Sequence, residues 1–154
     1  MNANFINPFI SGLLNVLETM AQTKLTPGRP KRKQNDVAKG DVSGLIGMIG
    51  PETKGSFSIT FDENLALIIM ERMVGEKIEK IDVEVCDMVG EITNMIAGSA
   101  KNELSDQGFD FGMATPIVVS GTDHTISHQV DGPKVILPFM CEEGSAHMEI
   151  CFDK

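Results

Sequence analysis

The sequence has no Trp and no Tyr, and only eight Phe, in 154 residues. It therefore offers few rings on which single-stranded nucleic acid could stack. Positive charge is also scarce: 13 Lys and Arg stand against 22 Asp and Glu, for a net charge of −9. That balance argues against nucleic acid or an anionic membrane surface as the main partner. The three cysteines, Cys86, Cys141 and Cys151, are odd in number and show no paired spacing. This suits a reducing compartment and matches no standard zinc pattern. The stretch Met1-Asn2-Ala3-Asn4-Phe5 lacks the basic and apolar regions of a signal peptide. No apolar run approaches the ~20 residues a membrane span needs. These absences predict a cytoplasmic protein that works with neither nucleic acid nor a membrane.

What is present suffices for a core. Apolar residues make up 42% of the chain, and ten Met can fill gaps that rings would otherwise occupy. The length favours a single domain over 1–154, or two small fused halves sharing one core.

Asn7-Pro8 reads as the start of a first helix, with Phe9, Leu13, Val16, Leu17 and Met20 at helical spacing. It ends before the breaker cluster Thr26-Pro27-Gly28. The basic run Arg29-Pro30-Lys31-Arg32-Lys33 is read as a solvated edge strand or loop rather than a binding patch, because the surrounding chain is acidic. The glycine-rich run from Val42 to Gly50 has neither a Gly-Lys-Ser/Thr ending nor a Gly-x-Gly-x-x-Gly pattern. It reads instead as a buried strand whose glycines admit a helix. Gly50 to Gly55 is a turn, and Ser56 to Phe61 alternates as a strand with Phe57, Ile59 and Phe61 inward. Asp62-Glu63-Asn64 can cap a second helix, Leu65 to Val74, which stops at Gly75. A third helix is expected from about Asp82 to Leu104. Beyond it the sequence predicts strands at Thr115 to Ser120, Thr122 to Val130, Val135 to Met140 and His147 to Phe152.

Most enzyme constellations can be set aside. His124, His128 and His147 read as surface or edge-strand residues, and no metal site is expected. No Gly-x-Ser-x-Gly elbow occurs, and Cys86 has no His nearby in sequence. The third helix differs. At about 100° per residue, Asp87, Glu91, Asn94 and Gly98 fall within an arc of roughly 60°, opposite Val85, Val89, Ile92, Ile96 and Ala100. Gly98 costs a helix about 1 kcal/mol against Ala, and close approach of another backbone is the expected compensation. Gly90, one residue before Glu91, adds to that cost, and both glycines would let another backbone come near. A carboxamide can hold one water in line for attack on phosphorus, as glutamine does in the switch GTPases. A carboxylate one turn away can grip a lysine. The chain has no phosphate cradle of its own, so a phosphoryl substrate must arrive with its own binding site.

Asp87-x-x-x-Glu91-x-x-Asn94, followed by Met95-Ile96-Ala97-Gly98-Ser99-Ala100, resembles the signature of the CheC/CheX/FliY phosphatases of bacterial chemotaxis. The likeness extends to the Val42–Gly50 strand, the Phe111–Gly121 stretch with Thr115-Pro116, and the paired terminal strands. Gly12-Leu13-Leu14-Asn15-Val16 echoes Glu91-Ile92-Thr93-Asn94-Met95, with Gly12 where Glu91 stands. A single Glu/Asn pair with a degenerate first helix is similar to the CheX branch; CheC-like members usually keep a pair in both halves. The resemblance implies an α/β (α+β) fold, a pseudo-repeat (roughly 1–80 and 81–154) of helix plus antiparallel strands, with long helices packed on one side of a central sheet. It implies a hydrolase acting in trans on a phosphorylated CheY-like response regulator. Asn94 would orient the water and Glu91 would pair with the receiver's active-site lysine. Asp87, Met95 and Gly98 would serve docking. The chain itself would bind no cofactor, Mg²⁺ belonging to the receiver, and a homodimer joined through the sheets is expected. The alternative is a receiver-binding or flagellar-switch-like adaptor without catalysis, against which the intact pair argues. The basic run Arg29–Lys33 has no place in the resemblance.

Overall fold

The computed structural model describes residues 3–51 and 53–153. Three helices lie on one face of an eight-stranded antiparallel sheet. In chain order they are α1 (Ala3–Ala21), β1 (Thr26–Pro27), β2 (Lys31–Arg32), β3 (Val42–Ile49), β4 (Lys54–Phe61), α2 (Glu63–Val74), α3 (Val83–Asp106), β5 (Gly112–Met113), β6 (Ile117–Ser120), β7 (Lys134–Cys141) and β8 (Gly144–Phe152). The sheet runs β1-β7-β8-β4-β3-β5, with β2 also on β7 and β6 also on β3.

The hairpin of β3 and β4 is paired from Val42↔Phe61 to Ile49↔Lys54. This register puts Val42, Ile46 and Met48 on the same face as Phe57, Ile59 and Phe61. Those side chains join Leu137, Phe139, Met148 and Ile150 in one core with the buried sides of the helices. Phe9 of α1 stacks on Phe57 with ring centroids 5.0 Å apart. Burying such rings supplies much of the driving force in a chain with few aromatics. Asp62 caps α2 by accepting from the Leu65 N–H at 2.8 Å, and Gly75 ends it in the left-handed region at φ 81°.

α1 begins earlier than expected. Pro8 lies within the helix rather than at its start, and its ring is buried beside Phe9. A proline here removes an intrahelical bond, and the apolar contacts of the buried face offset that loss. α1 crosses α3 closely: a Cβ on Gly12 would stand 3.2 Å from the Ile96 carbonyl oxygen and 3.5 Å from Ser99 Cβ. Asn15 points away and is exposed.

The opposite face of the sheet holds the larger departures. Thr122–Val130 is not a strand; its one ladder contact is an isolated bridge, Val37↔Thr125. This segment and the one around 33–40 lie across the sheet, joined by Ala38 N–H to the His124 carbonyl at 2.9 Å and Ile126 N–H to the Asp36 carbonyl at 2.7 Å. They bury Ser43, Ser56, Ser58, Thr60 and Glu149 beneath them. Two histidines read as surface residues are thereby enclosed. His124 Nε2 meets Ser43 Oγ at 2.7 Å, and His128 bridges Ser56 Oγ at 2.6 Å and Glu149 Oε1 at 3.1 Å. His147 is half-buried, and burial followed by the nearby Lys39 charge pushes its pKa down. In the basic run, Lys31 and Arg32 are exposed on the edge strand as expected, but Lys33 turns inward and forms an ion pair with Glu149. Burial pushes the Glu149 carboxyl up. Hydrogen bonds from His128 and Lys33 outweigh that and hold it below the usual glutamate value. Among the described residues, no helix is long and apolar enough to cross a membrane.

Candidate functional site

α3 starts at Asp82, whose side chain accepts from the Val85 N–H at 3.0 Å. From there the 3.6-residue period sorts the side chains. Val85, Met88, Val89, Ile92, Ile96, Ala97, Ala100 and Leu104 are buried. Asp87 and Glu91 are exposed, and Asn94 and Gly98 are half-buried. Met95 lies at the flank, half-buried and packed against the core.

Asp87, Glu91 and Asn94 form one wall of an open groove of about 460 Å³, joined there by Cys86 and Gly90. The other wall is the chain from Met113 to Pro116 together with Val118. Gly98 and Met95 do not line it. Among the described residues, the side chains of Asp87, Glu91 and Asn94 make no hydrogen bond or ion pair. They are held by the backbone of α3 alone and present unspent polar groups to the groove. The carboxylate is acceptor-only, whereas the carboxamide both donates and accepts. This pairing can orient a water and engage a cation. The described residues place no group of three or more His, Cys, Asp and Glu side chains where it could hold a metal ion.

Sequence reasoning found the α3 side of the groove but not the facing wall. Met113, Ala114 and Val118 carry no polar chemistry. Only Thr115-Pro116, a break just ahead of an apolar strand, marked the position.

The two expected uses of glycine diverge. A Cβ on Gly90 would stand 3.2 Å from Val118 Cγ2, so Gly90 makes room for β6. A Cβ on Gly98 would meet nothing within 4 Å. Its bareness serves no neighbour among the described residues.

The family model for the chemotaxis phosphatase CheX matches residues 42–140, which include β3, all of α3 and both walls of the groove. The chain belongs to the CheX family. A CheC-like superfamily protein from Shewanella sp. PV-4 is 62% identical, with a TM-score of 0.94 over 100% of each chain. The chemotaxis protein CheX of Vibrio vulnificus is 56% identical, with a TM-score of 0.92 over 98% of this chain and 100% of that one. CheX of Borrelia burgdorferi, solved in complex with CheY, BeF₃ and Mg²⁺, is 27% identical, with a TM-score of 0.81 over 97% of this chain and 98% of that one. No curated protein matches the chain. A CheX fold accounts for the three helices on one antiparallel sheet.

Proposed function

We propose that this protein stimulates hydrolysis of the aspartyl phosphate on a CheY-like response regulator, acting in trans. The observation that carries the reading is the unbonded Glu91/Asn94 pair, one turn apart on an open groove, in a chain of a phosphatase family. The Borrelia relative's complex with CheY supports the choice of partner. On docking, α3 lays its polar side into the receiver's active site. The Asn94 carboxamide donates to and accepts from a single water, setting its oxygen in line with phosphorus. The water oxygen bonds to phosphorus, the bond from phosphorus to the aspartyl oxygen breaks with its electron pair going to the carboxylate, and inorganic phosphate leaves with the water's protons while the free aspartate stays on the receiver. Asn94 positions the water without acting as a base. Glu91 pairs with the receiver's active-site lysine, and Asp87, Met95 and Gly98 contribute to docking. Mg²⁺ comes with the receiver, where it neutralises phosphoryl charge.

In this reading the protein works in the cytoplasm as a homodimer joined through its sheets. The exposed Ile117 and Val119 of β6, at 60% and 37% exposure on an outer strand, support such a contact. The test follows loss of phosphate from a receiver phosphorylated by acetyl phosphate, with and without this protein. Asn94→Ala abolishes the stimulated loss with the fold intact by circular dichroism, and Glu91→Ala weakens both docking and rate. Unchanged activity in both variants sinks the assignment. Binding by the wild type without faster phosphate loss identifies an adaptor instead.

A further inference from the structure

The polar side of α3 is useful only if the helix sits at one height above the sheet. Among the contacts of α3 with the sheet, two have the same form. Thr93 of α3 lies over Gly44 of β3: a Cβ on Gly44 would overlap the Thr93 hydroxyl and stand 2.9 Å from Thr93 Cβ. Gly90 of α3 lies over Val118 of β6, where an added Cβ would stand 3.2 Å from Val118 Cγ2. Gly44 and Val118 are register partners across β3 and β6. One row of the sheet therefore receives α3 at two points, three residues apart on the helix and so on the same side of it. In the first contact the sheet supplies the glycine and the helix the side chain. In the second the roles are exchanged. Thr93 is fully buried, and its hydroxyl donates to the Val89 carbonyl at 2.7 Å, so it takes no part in chemistry at the groove. Glu91 lies between the two contacts, and Asn94 directly follows Thr93.

We infer that Gly44, Gly90, Thr93 and Val118 are positioning residues that fix the depth and rotation of α3, and through it the reach of Glu91 and Asn94 into a docked receiver. The inference rests on the phosphatase reading above. Rotating Thr93 moves its hydroxyl but leaves its Cβ in place, so Gly44→Ala is accommodated only if helix and strand separate. Interiors packed at crystal-like density transmit such a shift. Misplacement by about 1 Å costs on the order of 100-fold in rate when catalysis depends on alignment.

The test measures kcat for phosphate loss from CheY-like receivers of the same genome, loaded with acetyl phosphate. Alongside it runs the Kd for the same receivers carrying beryllofluoride and Mg²⁺. Gly44→Ala lowers kcat by about tenfold or more, by the alignment argument, while Kd moves much less. Gly90→Ala lowers kcat by a smaller factor while its melting temperature holds or rises, because Ala is the better helix former. A purely structural role cannot produce that split. Adding Val118→Ala to Gly90→Ala, or Thr93→Ala to Gly44→Ala, restores most of the lost rate by removing the atoms that collide. Wild-type kcat in folded Gly44→Ala and Gly90→Ala overturns the inference, as does a loss that neither second substitution repairs. Should Gly44→Ala fail to fold, the Gly90/Val118 pair decides. A wild-type protein that leaves phosphate loss unchanged on every receiver it binds overturns the phosphatase reading itself, and this inference with it.

Discussion

Gly98→Ala separates what α3 does for the fold from what it does for a partner. Gly98 lies well inside a 24-residue helix, and beyond the adjoining backbone of that helix a Cβ there would meet nothing within 4 Å. Replacing an interior helical glycine by alanine removes excess freedom from the unfolded chain and gains about 0.8–1.0 kcal/mol. With nothing to collide with, the variant should keep that gain. For a domain of this size, 1 kcal/mol corresponds to about 2–4 °C in Tm. Thermal and urea unfolding read the stability, and the linear urea slope should be unchanged. Phosphatase assay and receiver binding read the other side. The docking role predicts that the added methyl weakens receiver affinity even as the fold gains stability. A lower Tm would refute the claim that the position is open. A raised Tm with unchanged receiver affinity would refute the docking role and leave Gly98 without a function in the groove's neighbourhood.

The buried ion pair gives three further expectations. Lys33 and Glu149 side chains are 4% and 1% exposed, so Lys33→Ala leaves the buried carboxylate with His128 but without its cation and should cost about 3–5 kcal/mol in urea unfolding. Replacing the buried cluster together, as Lys33→Met and Glu149→Leu with His128→Leu, leaves neither a charge nor the imidazole unpaired and should cost less; an equal cost would show that the cluster itself, not the unpaired charge, carries the stability. The Glu149 carboxyl titrates below its ordinary value near 4.5, so on acidification the unfolded chain takes up this proton first. Its contribution is thus present above about pH 4.5 and lost as pH falls through the lower folded value. The stability gap between wild type and Glu149→Gln should accordingly be wide at neutral pH and close in acid, and a gap constant with pH would contradict the assignment. Asp62→Ala removes the α2 cap and also the bond its Oδ2 accepts from the Ser145 N–H at 2.8 Å, and should cost about 1–2 kcal/mol.

The α3 face was legible because one physical rule produced it. A long helix on a core must sort its side chains by period, and Asp87, Glu91 and Asn94 are what the core rejects. The hairpin of β3 and β4, the capping cluster that begins at Asp62 and the Gly75 stop were legible for similar local reasons. The reverse face of the sheet was not. Ser56, Ser58 and Thr60 alternate with Phe57, Ile59 and Phe61 just as they would on a solvated face, and local pattern cannot reveal that remote, irregular chain will cover them. The same limit hid Lys33, which sits in a basic run whose neighbours Lys31 and Arg32 are exposed. Its partner Glu149 is 116 residues away. The Met113–Val118 wall was missed because it contributes shape rather than reactive groups. Pro8 misled because a breaker was weighed more heavily than the buried face it helps to form.

The crossing of α1 over α3 bears on stoichiometry. If the two halves are read as a repeat, Gly12 takes the place of Glu91 in the first helix, and that position is buried against the Ile96 carbonyl and Ser99. A Gly12→Glu substitution would therefore drive a carboxylate into the seam between the two helices instead of offering it to a receiver. Nor can Asn15, exposed on the same helix, be completed into a working pair by that one change. A second such face would require the helices to part and repack, so on the phosphatase reading each chain offers a receiver one face.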